Sequence, residues 1–129
     1  MDEIGPTTVK YLNELTVVLI SDKIWKLASP FFIQIDDDKL EIPVGFVTDF
    51  DSVPKLPVVY LTLAGSGKRA SVGHDFLYSN KSPERFKVLG RRWADRFFWA
   101  AMIMEGVDYK IADLKYAGVR IGGESHWEF

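Results

Sequence analysis

From Phe86 to Met104 the bulky apolar side chains fall at three- or four-residue steps: Phe86, Leu89, Trp93, Phe97, Ala100 and Met104. That spacing follows the turn of an α-helix and lays one apolar stripe along it. A stripe so long must be buried against something, so the rest of the chain has to supply a second layer. Ser82 as N-cap and Pro83 at the first helical position mark the start, with Arg85 where a capping box would place an acid. Gly106 is a natural stop. Upstream, Arg69 to Ser79 reads as another helix, with His74 and Tyr78 one turn apart on one face. Downstream, Asp108 caps a last helix through about Arg120, with Ile111, Leu114 and Gly118 on one side. Gly122-Gly123 ends it and leaves a short tail.

The first half follows a different period. Leu15 to Ile20 and Ile24 to Leu27 are short apolar runs rich in β-branched residues, and Phe31 to Ile35 follows Pro30 as a strand. Asp36-Asp37-Asp38 make a polar turn before Lys39 to Ile42, which alternates polar and apolar as a returning strand. The pair predicts a hairpin with a loop of about three residues. The aspartates lack the ligand spacing and terminal Glu of a calcium loop, so they read as a solvated turn. Val58 to Leu63 suits a strand, a buried helical turn or a packed loop. Gly65-Ser66-Gly67-Lys68 suggests a phosphate loop, but Thr62 stands where that motif has glycine and Arg69 where it has Ser or Thr; a flexible turn is expected. The expectation is one α+β domain over 1–129, with N-terminal antiparallel β-hairpins or a small sheet packed against about three C-terminal helices. Its parts are an extended arm (1–10), a β-rich half (11–64), a helical half (68–121) and a tail (122–129).

Composition removes several classes of function. A chain of 129 residues with 47% hydrophobic and 14% aromatic content can bury a core. Sixteen Lys and Arg against eighteen Asp and Glu give a formal charge of −2, so no nucleic-acid partner is expected. There is no cysteine, which excludes disulfides, thiolate nucleophiles and Cys-ligated zinc. His74 and His126 are the only imidazoles, too few for a three-histidine metal site. No apolar run approaches a membrane span, and the opening MDEIGPTT lacks the basic region of a signal peptide, so a soluble protein outside the secretory route is expected.

The candidate chemistry gathers around Pro43 to Pro54, PVGFVTDFDSVP. A strand pattern through Val44, Phe46 and Thr48 ends in Asp49, Asp51 and Ser52, and Pro54 stops the ladder. Small polar groups at a strand end can present chemistry from a rigid scaffold, or cap a turn. Asp95 sits among Trp93, Phe97, Phe98 and Trp99, where a carboxylate needs a partner. Arg91, at i−4, is the local one; His74-Asp75 on the preceding helix is the distant one. The catalytic candidates are therefore Asp49, Ser52, His74, Asp75 and Asp95. Asp49, His74 and Asp95 are the metal candidates, for magnesium, manganese or zinc. The equally simple alternative is that His74 donates to Asp49 or Asp95 and locks the strand end to the helix. Ser52 with His74 and an aspartate has the residue types of a hydrolytic triad but no nucleophile-elbow context.

Several pieces together resemble a known family. Trp25-Lys26-Leu27 with Pro30-Phe31, the run Gly45-Phe46-Val47-Thr48-Asp49-Phe50 with Ser52-Val53-Pro54, His74-Asp75 with Leu77-Tyr78, Ala94-Asp95 with Phe98, and Val119-Arg120 with Gly122 are similar to domain of unknown function 1353 of phages and prophages. The likeness covers roughly residues 24–127; Asp51 departs from it, where a small residue is expected. The resemblance implies a phage origin, often among tail or lysis genes, without an established activity. The leading expectation is a virion component at a tail tip, baseplate or connector. Its partners would be other phage structural proteins, met through the N-terminal arm and the His126, Trp127 and Phe129 tail. The alternative is a small metal-dependent hydrolase acting on cell-wall material during entry or lysis.

Overall fold

Alternation in Phe31 to Ile42 sets the first sheet. In the computed structural model, which describes residues 5–22, 24–49 and 67–129, β4 (Phe31–Ile35) and β5 (Asp38–Ile42) pair antiparallel from Phe31↔Ile42 to Ile35↔Asp38. Phe31, Ile33 and Ile35 share a buried face with Leu40 and Ile42. The loop is two residues rather than about three, because Asp38 already belongs to β5. Asp36 makes this turn possible by adopting φ 50°, a left-handed conformation that aspartate tolerates better than most residues. Its carboxylate also accepts the backbone N–H groups of Thr7 and Thr8, each at 2.8 Å. The arm is thus tied to its own hairpin from Thr7 onward, and β1 (Val9–Tyr11) completes the sheet in the order β1-β4-β5.

A second three-stranded sheet has the order β2-β3-β6, built from β2 (Val17–Ser21), β3 (Ile24–Leu27) and β6 (Val47–Thr48). Trp25 pairs with Thr48 and Lys26 with Val47, so the strand ahead of Asp49 is as short as two residues. Ser52, Asp51, the stretch Val58 to Leu63 and the Gly65-Ser66 part of the turn lie outside the described residues.

The helical half contains α1 (Lys68–Tyr78), a single turn α2 (Glu84–Lys87), α3 (Arg91–Met104) and α4 (Tyr109–Gly122), then a 3₁₀ turn at Glu124–His126. The fold is α+β, as its two periodicities require. One helix expected from Pro83 onward is two. Gly90 adopts φ 92° and ψ 168°, which breaks the helical path and which only a residue without Cβ adopts at little cost. Asp108 caps α4 as expected, its side chain accepting from the Lys110 N–H at 2.8 Å.

The buried faces of both long helices are rotated from the apolar stripes. On α3 the inward set is Ala94, Asp95, Phe97, Phe98, Ala101 and Met102, while Leu89 and Met104 are exposed. On α4 it is Ala112, Lys115 and Val119, and Leu114 faces outward. Each face has a charged residue near its centre, Asp95 or Lys115, so a pattern built on hydrophobicity settles beside it. Gly73 lets α1 approach closely: a Cβ there would stand 2.8 Å from the Phe97 ring and 3.0 Å from Ile33 Cδ1. This contact brings sheet, α1 and α3 into one core.

The chain end folds back on the C-terminus of α1. Lys87 Nζ donates to the carbonyls of Leu77, Tyr78 and Ser79 at 3.1, 3.0 and 2.9 Å, satisfying acceptors that a helix end leaves open. The same ammonium lies 3.8 Å from the Trp127 ring centre, and the Glu128 N–H donates to the Tyr78 carbonyl. Trp127 is therefore committed to its own fold, leaving Phe129 at the surface, 99% exposed.

Candidate functional site

α1 and α3 pack side by side, and at their seam sits the carboxylate of Asp95, 0% exposed. One oxygen, Oδ1, accepts from Tyr78 Oη–H at 2.6 Å and bonds His74 Nε2 at 2.7 Å. The other, Oδ2, accepts from Arg120 Nη1 at 2.6 Å and from Arg91 Nη1 at 3.4 Å. Arg91 is shared: it donates also to Tyr78 Oη at 3.1 Å, to the Val119 carbonyl at 3.0 Å and to the Arg120 carbonyl at 3.3 Å. It so joins α3 to the last turn of α4, whose carbonyls favour a cation.

Electrostatics follow from that set. Burial alone would raise the Asp95 carboxyl, but hydrogen bonds and charge from His74, with further bonds from Tyr78 and Arg120, outweigh it and hold the group below the usual carboxylate range. Tyr78 moves the other way: burial first, then its bond to the Asp95 anion, raises its phenol. With Asp95 ionised, the proton between them sits on His74 Nε2, which donates to Oδ1. That ring is held between Tyr78 and Phe98, at centroid distances of 4.3 and 4.7 Å. Nδ1 is buried without a hydrogen-bond partner.

Asp75 points elsewhere, accepting from Thr48 Oγ1 at 2.8 Å, with Thr48 itself buried. The strand end and the helix are thus joined by Thr48 and Asp75. The partner of His74 is Asp95, one of the two aspartates considered for it; Asp49 lies exposed beyond β6. Among the described residues no three His, Asp or Glu side chains gather as a metal-ligand set, so Asp49, His74 and Asp95 do not share a centre. Ser52 lies outside the described residues.

The family model for a protein of unknown function, DUF1353, matches residues 25–119. The chain belongs to DUF1353. Nothing among curated proteins or solved structures matches it. The DUF1353 match takes in Thr48, His74, Asp75, Tyr78, Arg91 and Asp95, and stops one residue short of Arg120. Tyr78, Arg120 and Thr48 are the members of the cluster that residue chemistry alone missed. All three stood inside the motifs that carried the resemblance, Leu77-Tyr78, Val119-Arg120 and Val47-Thr48-Asp49, and that is the signal by which they were open to detection.

Proposed function

We propose that this DUF1353 protein is a component of a phage particle, at a tail tip, baseplate or connector, in which the Asp/His cluster clasps the fold rather than catalysing. The observation that carries the clasp is Asp95: wholly buried, with both oxygens bonded to side chains from α1, α3 and α4. A carboxylate so closed in fixes helix geometry and has no oxygen left over for a substrate. The particle half of the reading draws on the family resemblance and on Phe129, an exposed aromatic of the kind that anchors interfaces. Mass spectrometry of purified particles tests it. The expected result is this chain in fixed proportion to other particle proteins; its absence from the particle sinks the reading.

One observation favours a second reading, a metal-dependent hydrolase acting on cell-wall material. His74 Nδ1 is an oriented imidazole nitrogen without a partner, the form in which a carboxylate-backed histidine serves as base or ligand. Crystals soaked in manganese or zinc should then show anomalous scattering beside His74. Asp49→Ala and His74→Ala variants that still support lysis and infection at the wild-type level remove this reading.

A further inference from the structure

The chain beyond α4 lies across one end of the Asp95 seam. Gly123 passes so close that a Cβ there would stand 2.6 Å from Tyr78 Oη and 3.0 Å from Arg91 Nη1. Trp127 then sets its ring edge-on to Tyr78 at 5.2 Å, and the other neighbour of the Tyr78 ring is His74, at 4.3 Å. From the surface inward the rings run Trp127, Tyr78, His74, Phe98.

This tail is lightly anchored. From Glu124 to Phe129 Trp127 is the one residue partly buried, and its neighbours on both sides are exposed. Lys87 holds it down, with its ammonium 3.8 Å from the Trp127 ring centre. Two polar bonds join Glu128 to the end of α1: its N–H donates to the Tyr78 carbonyl, and its carboxylate accepts from the Asn80 N–H at 3.2 Å. Breaking the first leaves no acceptor orphaned, because Lys87 Nζ also donates to the Tyr78 carbonyl at 3.0 Å. Both N–H groups released belong to exposed residues, which water can satisfy. The bonds on Asp95 come from α1, α3 and α4, so they stay in place when the tail leaves. A segment with so few buried contacts opens at far lower cost than the core.

We infer that residues 124–129 are a strap over the seam that opens independently of the core, and that this opening is what admits solvent and reagents to His74. Once Trp127 lifts, Tyr78 loses its outer cover, and Tyr78 is the ring that walls His74 on that side. The strap acts in this way whether the seam is a clasp or holds a base, since it governs when His74 is reached and not what His74 does.

His74 and His126 are the only histidines, so His126→Gln leaves His74 as the one imidazole to be read. Diethyl pyrocarbonate acylates an accessible imidazole, and peptide mass spectrometry locates the adduct. In the full chain carrying His126→Gln, modification of His74 should be slow. Adding Trp127→Ala should speed it about tenfold or more, with circular dichroism unchanged. Adding Glu128→Pro should speed it too. Trp127 already has φ −73° and ψ 121°, as a residue before proline prefers, so the N–H on Tyr78 is what that change removes. Ile33→Val, which loosens the core without touching the strap, should leave the rate unchanged. A His74 that reacts no faster in either strap variant overturns the inference. So does one that gains as much from Ile33→Val, because access then comes through unfolding of the core. Should Trp127→Ala fail to fold, Glu128→Pro decides.

Discussion

The two sheets have the same number of strands and opposite circumstances. In β1-β4-β5 every second residue of β4 is buried beneath helices, and the outer edge at β5 is charged. In β2-β3-β6 the edge strand shows three large apolar side chains to solvent, and one strand is only two residues long. The Thr48–Asp75 bond ties that lesser sheet to the helices. Strand count therefore says little about stability. What differs is the edge strand, since Leu27 and Phe46 of the second sheet's region also reach the shared core, where Phe46 meets Phe76 of α1.

The contrast is broken most severely at Asp95. Asp95→Ala leaves Arg91, Arg120 and Tyr78 facing a void and should cost about 3–5 kcal/mol, the usual penalty for removing one partner of a buried ion pair. Urea unfolding measures it, with the midpoint falling while the slope stays constant. Next comes Ile33→Ala in the covered sheet, for about 2–5 kcal/mol by the same titration. Thr48→Val keeps the shape and removes one hydrogen bond, so about 1 kcal/mol is expected, read most directly as faster amide exchange in β6 and β3. Val18→Lys should alter stability by no more than about 0.5 kcal/mol, since its site is open to water.

Titration sharpens the comparison by acting on the seam. The Asp95 carboxyl is lowered from its ordinary 3.8, so its stabilisation is complete above that value and lost as pH falls through the lower, folded one. The Tyr78 phenol is raised from 10.0, so its contribution is complete below that value and lost as pH rises through the higher, folded one. Asp95 thus adds an acid limb and Tyr78 an alkaline limb to the pH dependence of stability. A melting-temperature profile across pH checks this, and Asp95→Asn should remove the acid limb attributable to Asp95.

Much of this was legible in the residues. The period-two run Phe31 to Ile42 announced its hairpin, Asp108 its cap, and Asp95 its need for partners, with His74 and Arg91 correctly among the candidates. Arg120 escaped because its bond spans 25 residues and depends on how α4 lies across α3, which no local pattern encodes. The helix faces were misjudged for a related reason. Periodicity treats a charged residue as outward, yet Asp95 and Lys115 are inward, and the true stripe lies about one residue to the side. At the strand end Asp49 looked like the link to His74-Asp75, but alternation in β6 turns Thr48 inward and leaves Asp49 exposed.

The position of Arg120 also sets an order in time. Asp95 leaves the ribosome after Arg91 but 25 residues ahead of Arg120, the nearer of its two guanidinium partners, and the Glu128 N–H that docks on Tyr78 follows later still. A nascent chain can therefore form its first hairpin early, since those contacts are local, but cannot close the seam until its last helix has emerged. A chain that stops before Arg120 keeps Arg91 beside Asp95 but lacks the 2.6 Å guanidinium contact on Oδ2, so its seam stays incomplete.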